Sequence, residues 1–156
     1  MEIYRITQEK YADDLSGNGA RLYGGRWNSE GLFAVYTSSS RSLALLETFA
    51  HTPAKMLSEK IYILITLSVP DTLKWEELDR DKLTTGWDAA DTRPLTKRLG
   101  DKFLRNKSGL LFAVPSVLMP EELNYVINPL HADLKKIKLV NKRRIHFDSR
   151  VAENLR

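Results

Sequence analysis

The sequence predicts an α+β fold, mostly antiparallel strands flanked by a few helices, and three observations predict it. Short apolar runs with period-two alternation or β-branched enrichment recur along the whole chain. The helical patterns between them are few and do not alternate with strands as βαβ units do. No repeat, low-complexity tract or Pro/Gly/Ser linker divides the 156 residues, so residues 1–156 are expected to form a single domain. A chain of this length can bury most of the surface that its unfolded form exposes.

The elements follow in order. "EIYRIT" alternates as a first strand, and the glycine-rich "SGNGARLYGGRWNSEG" reads as a loop. "LFAVYT" is a second strand, with Tyr36 facing inward beside Leu32 and Ala34. The serines of "SSSRS" offer N-caps for a helix over "SLALLETFAH", which stops before Pro53. "IYILITLSV" is nearly continuous and β-branched, the pattern of a strand buried on both faces, and Pro70 ends it. The middle mixes turn signals with helical patterns. There Leu95, Leu99 and Phe103 recur at four-residue spacing, as one buried helical stripe would. "LLFAVPSVL" and "LNYVINP" read as further strands, and "KKIKLV" with "RRIHFD" as a closing pair.

Composition narrows the chemistry. The absence of cysteine removes disulfides, thiolate nucleophiles and Cys-based zinc sites together. His51, His131 and His146 show no metal-ligand spacing, so no metal site is expected. No apolar run reaches the roughly 18 residues a membrane span needs. "MEIYRITQEK" lacks the layout of a secretory signal, and a reducing cytoplasm is compatible with all of this. The net charge of +4 is concentrated in "KKIKLVNKRRIHF", which holds no acid. Such a run is either a nucleic-acid patch or a charged, solvated edge strand. Without interleaved aromatics the edge strand is the expectation.

Several side chains are candidates for chemistry. In Gly24-Gly25-Arg26-Trp27-Asn28 the glycines let backbone approach a ligand, and the Arg26 fork suits phosphate oxygens. The spacing matches neither a P-loop nor a dinucleotide fingerprint, and a turn with a surface arginine is the plainer alternative. Glu47 interrupts an apolar helix on the side shared by Leu43, Leu46 and Ala50. A buried carboxylate needs a partner, so Glu47 is expected to face Arg26 across a cleft or to pair with Arg5 or Arg26 as a structural ion pair. Tyr36 needs a partner for its hydroxyl. Ser116 in "VPSVL" sits at a strand end beside Pro115, but GxSxG is absent, which argues against a serine hydrolase. Asn124 and Asn128 stand four apart in "NYVINP", where Asn before Pro is ordinary turn chemistry.

Taken together, "YRIT", "LSGNGA", "GGRWNSEG", "VYTSSSRSLALLE", "GD", "VPS", "NYVINPLH" and "FDSR" resemble, almost end to end, the RES-domain family. These are toxins of bacterial toxin–antitoxin pairs. The residues that give the family its name would be Arg26, Glu47 and Ser116. The resemblance implies an ADP-ribosyltransferase-like fold that uses NAD as substrate, with no prosthetic group. It implies cleavage of the nicotinamide–ribose bond by hydrolysis or phosphorolysis, with transfer of ADP-ribose to a protein as the alternative. On this reading Glu47 stabilises the charge growing on the ribose and Arg26 holds the pyrophosphate. Tyr36 stacks on or hydrogen-bonds the nicotinamide end, and Ser116 orients the ribose or the attacking group. Arg5, Gly25, Trp27 and Asn128 complete the expected substrate site. The implied partner is a helix-turn-helix, Xre-type antitoxin, with a homodimer inside that complex as a further expectation. The rival from another class is a binding module whose basic C-terminal run meets nucleic acid.

Overall fold

Apolar alternation becomes a single sheet in this computed structural model, which describes residues 1–89 and 93–154. Its strands are β1 (Glu2–Gln8), β2 (Val35–Ser38), β3 (Tyr62–Ser68), β4 (Glu76–Glu77), β5 (Leu111–Pro115), β6 (Leu123–Ile127) and β7 (Lys138–Ile145). They lie in the order β4-β5-β6-β2-β1-β3-β7, antiparallel throughout except for β4 with β5. Around them stand α1 (Asn18–Tyr23), α2 (Arg41–His51), α3 (Ala54–Glu59), α4 (Arg93–Asn106) and α5 (Ser149–Asn154). The architecture is the expected α+β arrangement. Among the described residues no helix is long and apolar enough to cross a membrane.

Period-two alternation sends the two faces of the sheet into different buried clusters. Along β5, Leu111 and Ala113 join Ile3, Ile65 and Ile127 on one face, while Phe112 and Val114 join Trp27, Phe103 and Val126 on the other. β3 is covered on both faces and flanked by β1 and β7, which is why its sequence is almost continuously apolar. Leu32, Ala34 and Tyr36 share the second core, as their spacing predicted.

Four expectations need correction. The glycine-rich segment is not all loop: Asn18–Tyr23 forms α1, entered through Gly17 at φ 73° and left through Gly24 at φ 69°. The second strand is shorter than read, beginning at Val35. In α4 the buried line runs through Thr96, Gly100, Phe103 and Leu104, with Leu95 and Leu99 only partly covered. A strict four-residue spacing overshoots the 3.6-residue turn, so the stripe drifts around the helix. The closing "pair" is one eight-residue strand, β7, whose register shifts opposite Thr66/Leu67. A bulge rather than a turn absorbs the extra residue. β7 is the sheet's exposed basic edge, in keeping with the charged-edge reading of that run.

Two features position the site. β1 follows β3 through seven register pairs but meets β2 only where Tyr4 stands opposite Ser38. The sheet therefore parts between β1 and β2, and a cleft opens in the gap. On the far side, Gly100 lets α4 lie directly on the backbone of Trp27, whose carbonyl a Cβ at that position would overlap. That contact holds the "GGRWN" segment against the body of the fold.

Candidate active site

The cleft has a volume of about 810 Å³ and is lined by both edges of the parted sheet, by the "GGRWN" segment and by one face of α2. Five charged or titratable groups besides tyrosines line it: Arg5, Asp14, Arg26, Glu47 and His51. Tyr11, Tyr23, Met56 and Leu118 form an exposed apolar rim.

Ser40 caps α2 through its side chain to the Leu43 N–H, and the helix buries Leu43 and Ala44 against the sheet. Leu46 is 40% exposed, so the buried stripe passes through Leu43, Ala44 and Glu47 rather than Leu46 and Ala50. Glu47 consequently leans toward the ends of β5 and β6. Its Oε1 accepts from Ser116 Oγ at 2.8 Å and from Asn124 Nδ2 at 2.6 Å. Its Oε2 lies 3.2 Å from His51 Nε2, one helical turn on. Burial pushes the carboxyl's pKa up. Hydrogen bonds from His51, Asn124 and Ser116 outweigh that and hold it below the ordinary carboxylate range. Glu47 is thus an ionised carboxylate at the wall of a cleft.

Among the described residues no arginine partners Glu47. Glu47 is satisfied by a serine, an asparagine and a histidine, and the arginines are engaged elsewhere. Arg26 lines the cleft and reaches the carbonyls of Trp87 and Ala89 at 3.4 and 3.5 Å. Arg5 Nη1 donates to the Asp14 carbonyl at 2.7 Å; burial lowers its pKa and the Asp14 charge opposes that. Both guanidinium groups are therefore anchored to backbone while facing the same cavity.

The structure brings Arg5, Gly25, Arg26, Trp27, Tyr36 and Glu47 to one cleft. Tyr36 donates to Asn28 Oδ1 at 2.7 Å and accepts from the Trp27 N–H at 3.0 Å. Burial pushes its pKa well above the ordinary phenol range. Its hydroxyl thus braces the "GGRWN" segment and is not available to the nicotinamide, although its ring lines the cavity. Gly25 is required there, because a Cβ would press on the Tyr36 hydroxyl at 2.6 Å. Ser116 is fully buried and behind the lining. Its Oγ accepts from the N–H groups of Leu118 and Met119, so its proton is committed to Glu47. It orients the carboxylate rather than the ribose or an attacking group.

Of the remaining expected contacts, Trp27 also lines the cleft although its ring is packed into the core, and Asn128 lies away from it. The Trp27 side chain is only 3% exposed, packed edge-on to Phe112 and tilted against Trp87. Asn128 is buried away from the cleft, donating to the Leu104 carbonyl and accepting from the Leu130 N–H. It ties the end of α4 to the turn after β6.

Sequence reasoning missed Ser38, His51, Asn124, Asn28 and Asp101 as parts of the site. His51 was legible as an i, i+4 partner of Glu47, and Asn124 as a polar residue in an apolar strand. Asn28 donates to three carbonyls, of Ala20, Ser29 and Leu32, and closes the "GGRWN" turn. Asp101, from α4, accepts from the Ser29 N–H and hydroxyl at 2.7 and 2.6 Å and fixes its far end. Among the described residues no group of three or more His, Asp or Glu is gathered at metal-binding distances.

The chain is similar to known proteins along nearly its whole length. A model of the RES domain matches residues 2–148. A protein of Sphingobium sp. (strain YBL2) named Prs ADP-ribosylating toxin is 41% identical over 142 residues, 90% of this chain and 88% of that one. NAD(+) phosphorylase MbcT of Mycobacterium tuberculosis (strain ATCC 25618 / H37Rv) is 40% identical over 74 residues, 44% of this chain and 39% of that one. The crystal structure of the M. tuberculosis MbcT–MbcA toxin–antitoxin complex contains a chain with a TM-score of 0.77 and 24% identity. The match covers 99% of this chain and 87% of that one. That likeness shows the same overall fold in the two chains. The family match spans nearly the whole chain, from β1 to the start of α5, and the chain belongs to the RES domain family.

Proposed function

We propose that this protein is the toxin of a type II toxin–antitoxin pair and that it breaks the nicotinamide–ribose bond of NAD in the Glu47 cleft. The observation that carries the reading is Glu47 itself, an ionised carboxylate held by three donors beside a cavity of about 810 Å³ that two arginines also line. The Sphingobium relative is named as an ADP-ribosylating toxin and MbcT as an NAD(+) phosphorylase, and both names fit chemistry at this bond.

The chemistry asks little of an acid. When the bond from ribose C1′ to the pyridinium nitrogen breaks, the electron pair leaves with neutral nicotinamide and positive charge grows on the ribose. A fixed carboxylate stabilises that charge, since it needs no reorganisation as the charge develops. The acceptor, water or phosphate, then bonds C1′ and gives up its proton. Arg26 and Arg5 are assigned to the pyrophosphate as charge-matched donors. The Tyr36 ring is assigned to the nicotinamide face, and Gly25 to close backbone approach. NAD is substrate here, with no prosthetic group assigned. Residues 1–156 are taken as one catalytic domain acting on the cytoplasmic NAD pool.

The test is release of nicotinamide from NAD by the purified protein with a chelator present. Release at the untreated rate is expected. Loss on chelation, restored by a divalent ion, overturns the metal-free assignment, and no release under either condition overturns the NAD reading. Arg26→Ala tests the pyrophosphate role. Loss of a charge-assisted contact used in ground and transition states alike should raise KM roughly tenfold to a hundredfold. Unchanged NAD affinity counts against it.

A second reading is favoured by the 41% identity to an ADP-ribosylating toxin. There the acceptor is a protein side chain, and labelled ADP-ribose would end on protein rather than free in solution. Either reaction demands restraint in the producing cell. The partner we assign is an antitoxin of helix-turn-helix, Xre type, with a homodimer of this chain inside the complex. The MbcT–MbcA complex gives the precedent for a toxin–antitoxin assembly on this fold.

A further inference from the structure

We propose that Ser38 and Asn124 form a positioning relay that fixes Glu47 through Oε1 and leaves Oε2 as the oxygen that meets the substrate. The inference rests on the reading that Glu47 acts on NAD, and it names which end of the carboxylate works and what holds the other end.

The relay follows from strand register. Tyr4, Ser38 and Asn124 stand opposite one another across β1, β2 and β6, so the side chains of Ser38 and Asn124 are neighbours on one face of the sheet. α2 lies against that sheet and brings Glu47 over them. Ser38, 4% exposed, donates through Oγ to Asn124 Oδ1 at 2.7 Å. That bond selects one orientation of the amide and turns its Nδ2 toward Glu47, where it donates at 2.6 Å. With the amide reversed, Oδ1 would face the carboxylate, acceptor against acceptor. Ser38 therefore decides whether Asn124 attracts or repels Glu47.

The two carboxylate oxygens are consequently unlike. Oε1 takes both buried donors, Asn124 and Ser116, and each of these is held in turn by backbone or side chain behind it. Among the described residues Oε2 has only His51, whose side chain is 70% exposed and can swing into solvent. One end is clamped and the other is bordered by a movable group at the cleft wall. A ribose entering the cleft can replace His51 at Oε2 but cannot reach Oε1 without breaking two buried hydrogen bonds. Asn124 and Ser38 act through Glu47 and are positioning residues.

Removing the Asn124 donor has a defined sign. The groups that face or border Glu47 are His51 from α2, Ser116 from the segment after β5, Asn124 and Ser38 from the strands, and Arg5, Asp14 and Arg26 around the cleft. Loss of a donor to the charged form raises the carboxyl's pKa. Activity that needs the carboxylate is present above that pKa and disappears as pH falls through it, so the acid limb moves to higher pH.

The experiment measures kcat, KM and their pH profiles for Asn124→Ala, Asn124→Asp, Ser38→Ala and Ser38→Thr. The Glu47 carboxyl is titrated in parallel by 13C NMR without substrate. For Asn124→Ala, kcat should fall about tenfold with KM little changed, in line with loss of one hydrogen bond to a charged group. The acid limb should move up in pH. Asn124→Asp should move it further, because two adjacent carboxyls cannot both ionise freely. Ser38→Ala should lower kcat in the same sense, and Ser38→Thr, which keeps the hydroxyl, should restore it. Equal kcat in Ser38→Ala and Ser38→Thr overturns the relay, and so does an unshifted acid limb in a folded Asn124 variant. If the protein consumes no NAD, the titration still decides. A raised Glu47 pKa in Asn124→Ala upholds the clamp while the NAD reading falls, and an unchanged pKa overturns the clamp itself.

Discussion

Glu47→Gln is expected to lower NAD turnover on the order of 10²–10³-fold, the usual cost of removing one preorganised electrostatic group from a transition state, while NAD affinity stays close to that of the parent. The substitution preserves the network unusually well. A glutamine carbonyl at the Oε1 position still accepts from Ser116 and Asn124, and its amide at the Oε2 position still has the imidazole of His51 beside it. Shape and both hydrogen bonds at the Oε1 position survive, the exposed His51 contact must turn from donor to acceptor, and the charge is lost. Because nicotinamide in NAD carries its positive charge before the bond breaks and the ribose carries it afterwards, that loss falls mainly on the transition state and appears in kcat. Nicotinamide release under saturating NAD, with binding measured separately by calorimetry, reads the two effects apart. Turnover within a fewfold of the parent would remove Glu47 from the reaction.

Much of the scaffold was legible in the sequence because strand alternation and helix caps are local. "YILITLS" could be nothing but an interior strand, and Ser40 with Pro53 bracket α2 as their chemistry requires. The cleft was legible in part of its lining and not in its wiring. Arg26, Glu47 and Ser116 were all identified, yet the pairing expected between Arg26 and Glu47 gave way to bonds from Ser116 and Asn124, 69 and 77 residues away in the chain. Those bonds depend on strand register and on how α2 settles on the sheet, which no local pattern encodes. Trp27 shows the same limit from the other side. The resemblance placed it in the substrate site, and its burial was not foreseen. The close approach of α4 through Gly100 buries it, and that approach joins residues far apart in sequence. The α4 stripe held at Phe103 and in part at Leu99 but drifted off the core at Leu95, since four-residue spacing and helical pitch are not the same period.

Co-expression with a cognate helix-turn-helix antitoxin is expected to relieve growth arrest and to abolish NAD loss in the purified complex. The cleft is suited to being filled by a chain. Its rim presents Tyr11, Tyr23, Met56 and Leu118 to solvent, at 45%, 81%, 37% and 39% exposure, an apolar border to a charged interior. An extended or C-terminal antitoxin segment can rest its apolar side chains on that rim and carry a carboxylate inward to Arg26, in place of the pyrophosphate. Such a segment competes directly with NAD, so inhibition should weaken when its inserted carboxylate is removed and when Tyr23→Ser strips the rim, even where the complex still forms. Nicotinamide release by the free enzyme, by the complex and by complexes bearing each change measures this. A complex that assembles and yet consumes NAD at the free enzyme's rate rules out occlusion. Inhibition that survives both changes would place the antitoxin's hold outside the cleft, on some other face of the sheet.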